Sequence, residues 1–313
     1  MAAWKILLTD GLEENGQSIL REAAEVVDQS GISADELLKV IGEYDALIVR
    51  GRTKVTPAVF EAGKNLKVVG RAGVGVDNID LKAAKQHNVI VVNSPLATTI
   101  AVAELTMALV LSMVRELPRA DVAMKNGKWL KKDLEGTELY KKTLGIVGYG
   151  RIGQAVAKRA MAFEMRIVAY DPLRLTEDVC RDGCDPLSLD HLLRESDFIS
   201  IHTPLNDHTR AMIGADQFAK MKDGVYLIDA ARGGVLDEEA LLAALNSGKV
   251  AGAALDVFSA EPPGQTALVC HPRVVATPHV GAQTVDAQQR AAYDISTDIL
   301  KALRGEELRW RVA

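Results

Sequence analysis

Gly148-Tyr149-Gly150-Arg151-Ile152-Gly153 directly follows the apolar run Leu144-Gly145-Ile146-Val147, and a second run, Arg166-Ile167-Val168-Ala169-Tyr170, ends at Asp171. Strand, glycine turn, helix, strand and acid in this order form the arrangement of a dinucleotide site, which says more than the six letters alone. The first glycine makes the tight turn, the second lets the backbone approach a pyrophosphate, and the third lets the helix pack on its strand. The anion then meets free N–H groups at a helix N-terminus, so Gly148, Gly150, Arg151, Ile152 and Gly153 are the expected phosphate-binding turn. Asp171 is placed to accept from ribose hydroxyls and to repel a 2′-phosphate, which favours NAD over NADP. Some S-adenosylmethionine enzymes share the glycine pattern, so the rest of the chain has to decide.

Outward from this turn the chain alternates short apolar runs with helical patterns. Before it come strands at 6–9, 46–49, 66–70 and 89–92, with helices expected at 16–24, 57–63 and 81–87. After it come strands at 166–170, 197–202, 224–229, 251–256 and 273–276. Such alternation indicates parallel βαβ units. Helix-type spacing from Thr98 to Asn126 predicts a long helix, kinked or ended near Pro118, and an amphipathic helix is expected from Thr284 to Gly305. The expected fold is therefore α/β with two doubly wound parallel sheets. A Rossmann cofactor domain (98–284) is inserted into a discontinuous, flavodoxin-like substrate domain (1–97 and 285–313). Two lobes joined this way are expected to close over a cleft.

The 313 residues suffice for about two domains. A formal charge of −5, spread along the chain, points to no nucleic acid or anionic membrane partner. No apolar run approaches the ~20 residues of a membrane helix, and the N-terminus lacks a signal-peptide pattern. Cys180, Cys184 and Cys270 are too few and too odd in number for a disulfide framework, which suits a cytoplasmic setting. Cys180, Cys184 and His191 lack a fourth ligand at zinc-like spacing, so no metal is expected.

Three further strand ends carry charge. Arg232 lies in Asp229-Ala230-Ala231-Arg232-Gly233-Gly234, Glu261 in Asp256-Val257-Phe258-Ser259-Ala260-Glu261-Pro262-Pro263, and His279 in Thr277-Pro278-His279-Val280-Gly281-Ala282. Ligands in open α/β sheets bind at the carboxyl ends of the strands. An arginine fork there can hold a carboxylate, and a histidine can act as general acid and base with a carboxylate orienting its ring. Singly, each has an ordinary structural reading; together they point to a site. His87, His208 and His271 carry no such context.

In order and spacing these motifs resemble the signatures of the NAD-dependent D-2-hydroxyacid dehydrogenases over essentially the whole chain. The resemblance implies that Arg232 binds the substrate carboxylate and carbonyl, that His279 transfers the proton, and that Glu261 pairs with His279. It also implies that Thr203, Pro204, Ala230, Arg232, Asp256, His279, Gly281 and Ala282 neighbour NAD, and that the protein is a homodimer through the cofactor domain. Val69–Asp80 and Lys125–Leu139 are most similar to members acting on 3-phosphoglycerate at the first step of serine biosynthesis. Arg71, Gly73, Val74 and Gly75 would then line the substrate site, and Arg50, Gly51 and Arg52 would meet a phosphate. Gly51 stands where those members commonly carry serine, and Val74 where threonine is frequent. A hydroxypyruvate or glyoxylate reductase is the alternative within the family, and a non-catalytic NAD-sensing corepressor-like protein the alternative outside enzymology. The chain stops near the expected end of the catalytic core, so feedback inhibition through an appended regulatory domain is not expected.

Overall fold

The computed structural model describes residues 4–313. Two compact units emerge, one from the residues up to Thr99 together with Ala282–Ala313, the other from Ile100–Gly281. In chain order the first unit contributes β1 (Trp4–Leu8), α1 (Glu14–Arg21), β2 (Ala24–Asp28), α2 (Ala34–Val40), β3 (Ala46–Val49), α3 (Pro57–Ala62), β4 (Val68–Arg71), α4 (Leu81–Gln86) and β5 (Ile90–Asn93). Then follow α5 (Thr99–Val114), α6 (Leu117–Lys125), β6 (Thr143–Val147), α7 (Arg151–Met161), β7 (Arg166–Tyr170), α8 (Thr176–Arg181), β8 (Asp185–Pro186) and α9 (Leu189–Glu195). The last elements are β9 (Phe198–Ile201), α10 (Ala215–Lys220), β10 (Val225–Asp229), α11 (Glu238–Ser247), β11 (Val250–Leu255), β12 (Val274–Ala276) and α12 (Val285–Arg304).

In the first unit five parallel strands run in the order β2-β1-β3-β4-β5, the flavodoxin-like arrangement. Its central strand β3, Ala46-Leu47-Ile48-Val49, is an unbroken apolar run because both of its faces are covered. Leu7, Leu47, Val49, Val69 and Val91 join one core with Leu37, Val59, Phe60 and Ala83. Their neighbours Ile6, Leu8, Ile48, Val68 and Val92 join the other with Leu20, Ala291, Ile295 and Ile299. Neighbouring side chains thus alternate between faces, as pleating requires. Thr284 caps α12 by accepting from the Ala287 N–H, and Gly305 ends it in the left-handed conformation.

Parts of this unit differ from the sequence expectation. The first helix stops at Arg21, because residues 24–28 form an edge strand and Ser33 with Glu36 builds a capping box that starts α2. Beyond α12 the chain turns back, and the Val312 N–H donates to the Val91 carbonyl while Val92 and Arg311 form an antiparallel bridge.

In the second unit seven parallel strands run in the order β12-β11-β10-β9-β6-β7-β8. The order reverses between β6 and β9, so the glycine turn lies at the switch point of a Rossmann sheet. The helix expected over 98–126 is two helices. Glu116 turns left-handed (φ 48°), and Pro118 sits in the first turn of α6, where a missing N–H costs nothing.

Gly16 of α1 marks where that helix meets α12, since a Cβ there would lie 2.8 Å from the Ala292 Cβ and carbonyl oxygen. Gly16→Val is expected to destabilise the protein by about 1–3 kcal/mol in denaturant unfolding, as overpacking does. Gly51→Ser, where an added Cβ meets nothing within 4 Å, should leave the midpoint unchanged.

Candidate dinucleotide and acid–base site

The glycine turn has the form its sequence requires. Gly148 adopts φ 95°, and a Cβ there would come within 2.7 Å of the His202 carbonyl group. Space above Gly150 is open to 4 Å, whereas a Cβ on Gly153 would strike the Gly148 carbonyl and sit 3.1 Å from Ile146 Cγ2. Gly150 caps α7 without any side-chain bond, leaving first-turn N–H groups for an anion.

Asp171, at the end of β7, accepts from the Tyr149 N–H and the Leu173 N–H, both at 2.9 Å, one on each oxygen. Its remaining lone pairs suit the two hydroxyls of a ribose. Tyr149 anchors the turn from beneath: it is buried, and its hydroxyl lies 3.0 Å from Cys184 Sγ and donates to Asp182 at 3.2 Å. Burial and these partners hold its phenol well above the usual tyrosine range. Beside the turn, His202 Nδ1 and Thr203 Oγ1 are buried without a protein partner. Such orphaned polar atoms beside an open glycine turn fit a polar ligand such as a dinucleotide. His202 Nε2 lies 2.9 Å from Ser200 Oγ, and burial lowers its pKa to about 4, so its ring is neutral at physiological pH.

Arg232, Glu261 and His279 follow β10, β11 and β12, which are neighbours in the sheet. His279 Nδ1 lies 2.8 Å from Glu261 Oε2, with both side chains open to solvent at 47% and 39%. The other Glu261 oxygen accepts from the Phe258 N–H at 3.2 Å. With Nδ1 engaged by the carboxylate, Nε2 is the ring nitrogen available for proton transfer.

His279 is also one of few non-glycine residues with positive φ, at 53°. What holds it there is Asp256, which is 1% exposed. One oxygen of Asp256 accepts from Thr277 Oγ1 at 2.6 Å and the Val280 N–H at 2.8 Å; the other accepts from the Gly281 N–H at 2.8 Å. The Arg232 loop leans on the same segment, since a Cβ on Gly233 would overlap the Phe258 carbonyl. Sequence reasoning assigned Asp256 to the cofactor and missed this bracing. It also missed Asp229, whose carboxylate accepts from the Ala231 N–H at 2.9 Å and from the Arg232 N–H. The signal was present as Asp-x-Ala-Arg at a strand end, an Asx-type turn.

The residues expected to meet the substrate in the first unit differ in how committed they are. Arg52 reaches Thr9 O (2.5 Å), Ile32 O (3.1 Å) and the buried Asp10 carboxylate (3.1 Å), so its fork serves its own domain. Asp10 also accepts from the backbone N–H groups of Arg50 and Thr53. The Arg50 guanidinium meets Gln283 Oε1 weakly, at 3.5 Å, and Gly51 is exposed. In the Arg71–Gly75 loop the Gly73 carbonyl accepts from the Ser94 N–H at 2.9 Å and the Val74 carbonyl from Asn93 Nδ2 at 2.6 Å. The Arg71 guanidinium lies against Gly73.

The profile of a family described as D-isomer specific 2-hydroxyacid dehydrogenase, NAD binding domain, matches residues 107–281. A hydroxypyruvate reductase of Thermotoga maritima is 48% identical over 307 residues, covering 97% of this chain and 99% of that protein. A D-3-phosphoglycerate dehydrogenase of Methanocaldococcus jannaschii is 48% identical over 303 residues, covering 96% of this chain but only 58% of its own length. Among solved structures, a D-lactate dehydrogenase of Aquifex aeolicus in complex with NAD and lactic acid is similar with a TM-score of 0.84, at 31% identity and 96% coverage of both chains.

Asp256→Ala strands three donors, and each buried donor left unpaired costs about 1–3 kcal/mol. The variant is expected to lose at least about 3 kcal/mol in chemical denaturation, and Asp256→Asn, which keeps an acceptor, to lose less.

Proposed function

The chain belongs to the D-isomer specific 2-hydroxyacid dehydrogenase family, and on that premise we propose that it interconverts a D-2-hydroxy acid and its 2-oxo acid with NAD. The observation that carries the reading is the grouping of Arg232, Glu261 and His279 after three neighbouring parallel strands, with His279 and Glu261 2.8 Å apart. NAD, when bound, supplies or takes the hydride at C2. The residues proposed to hold it are the turn Gly148, Gly150, Arg151, Ile152 and Gly153, with Asp171, Thr203, Pro204, Ala230, Asp256, Gly281 and Ala282.

In reduction, Arg232 binds the carboxylate with its planar fork and polarises the adjacent carbonyl. His279 donates a proton from Nε2 as negative charge develops on the carbonyl oxygen, and in oxidation it takes the hydroxyl proton back. Glu261 orients the ring through its contact with Nδ1.

We assign the substrate as 3-phosphohydroxypyruvate in the reductive direction, with the Arg71–Gly75 loop and Arg50 as its anion ligands. The sequence likeness of 48% to a phosphoglycerate dehydrogenase supports it. Hydroxypyruvate is the second reading, favoured by the internal commitment of Arg52 and by the 99% coverage of the reductase from Thermotoga maritima. We further propose a homodimer through the second unit, where Leu117, Val122, Met124 and Trp129 are 51–76% exposed. No helix among the described residues is long and apolar enough to cross a membrane. The three cysteines are unpaired, which supports a cytoplasmic setting.

His279→Ala is expected to lower turnover by about 100- to 10,000-fold while NADH still binds. Turnover like that of the parent would sink the assignment. Comparing kcat/KM for 3-phosphohydroxypyruvate, hydroxypyruvate and glyoxylate at one pH and salt concentration separates the substrates; the phosphorylated acid is expected to lead, and Arg50→Gln to erase that lead. NADH is expected to outperform NADPH, with the gap narrowing in Asp171→Ala. In sedimentation the protein should behave as two copies of the 33.7-kDa chain, and Met124→Glu should shift it toward one.

A further inference from the structure

Asp229 ends β10 with 2% of its surface exposed, three residues before Arg232. Its carboxylate takes the Ala231 N–H at 2.9 Å and the Arg232 N–H, so it holds two consecutive donors of the backbone that carries the guanidinium. The main chain ties the same point to the next strand, with the Asp256 N–H donating to the Asp229 carbonyl at 2.8 Å. Two carboxylates, 2% and 1% exposed, therefore end adjacent strands, one holding the Arg232 loop and the other the His279 loop. An asparagine makes the same turn with no charge to bury. A fully enclosed acid there adds charge to a place where the turn alone does not need it.

We propose that Asp229 is a positioning residue for Arg232, fixing the backbone that presents the guanidinium and holding it more firmly as carboxylate than as carboxylic acid. The proposal rests on Arg232 being the ligand of the substrate carboxylate. Hydrogen bonds to an ionised acceptor are roughly twice as strong as neutral ones, and a protonated carboxyl also gives up part of its acceptor capacity. Burial pushes Asp229 up to about 7; the two N–H bonds and the Arg232 charge oppose the rise, and the Asp256 charge adds to it. The charges that bear on it are thus Arg232 on its own loop and Asp256 on the β11 side. On the β9 side His202, with a pKa of about 4, is uncharged. The acid form prevails below about pH 7 and the carboxylate above it, so the hold on Arg232 tightens as pH rises.

An asparagine side chain in this place mimics the uncharged acid at every pH, which makes Asp229→Asn the informative variant. The measurement is KM for the 2-oxo acid in steady-state NADH oxidation, taken as the ratio of variant to parent from about pH 5.5 to 8.5. Titrations shared by both enzymes cancel in the ratio. The expected ratio is near one at the acid end and about fivefold at the alkaline end, with the NADH Kd from fluorescence titration unchanged. Asp229→Leu, which removes both acceptors, should raise KM at both ends. A flat Asp229→Asn ratio, or a Kd for NADH that moves in step with KM, overturns the proposal even where the leucine variant fails to fold. Arg232→Ala keeps the two ideas apart. If it leaves KM unchanged, the carboxylate-ligand reading falls; if it raises KM while the Asp229→Asn ratio stays flat, the positioning role alone falls.

Discussion

Parallel pairing in the second sheet is the constraint on which the site depends. Its register aligns Tyr170, Val147, Ile201, Asp229, Leu255 and Ala276 in a single row across six strands. One residue beyond that row lie Asp171, Gly148, His202, Ala230, Asp256 and Thr277, from which every candidate cofactor and acid–base segment of this domain starts. A one-residue slip of any strand would exchange the side chains it sends to the two differently packed faces of the sheet, so the register is held by both cores. The sheet therefore brings together residues more than a hundred positions apart in the chain, and the loops need only adjust the last few ångströms.

That adjustment is made by buried acceptors rather than by the exposed pair. His279 and Glu261 are both open to solvent, so their contact contributes little to stability. Asp256, with three donors on its two oxygens, keeps His279 in a left-handed conformation that costs about 1–3 kcal/mol when left to itself. Phe258 links the loops, donating its N–H to Glu261 while its carbonyl closes against Gly233.

The parts of this architecture legible in the sequence are those written as periodicity and as glycine placement. Buried strands such as Ala46–Val49 and the Leu144–Val147 stretch of β6 are continuous apolar runs, and the spacing of Gly148, Gly150 and Gly153 declares a turn in which a side chain at the first or third position would strike a backbone carbonyl while the second opens onto free space. Elements at the sheet margins were harder to read. β2, Ala24-Glu25-Val26-Val27-Asp28, is half-exposed and mixes charge with valine, and β8 is two residues long. Ser33-Ala34-Asp35-Glu36 did announce the start of α2, and reading it as a capping box would have found that helix. Partner choice by long side chains left no local trace: Arg52 looks like a phosphate ligand in sequence and spends its donors on Thr9, Ile32 and Asp10. Asp229 was visible as a letter, but its burial follows from the sheet around it.

The return of residues 310–313 along β5 bears on how the first sheet meets its surroundings. A sheet margin with unpaired N–H and C=O groups is a template for any extended chain that drifts past. Here the Val91 and Asn93 N–H groups and the Val91 carbonyl are already taken by Ala313, Trp310 and Val312. The margin on that side is closed to templated growth, and the opposite one, β2, carries Glu25 and Asp28, whose like charges repel a second copy laid against them. A five-stranded sheet rich in valine and isoleucine, composed much like a fibril-forming segment, is thereby kept at five strands.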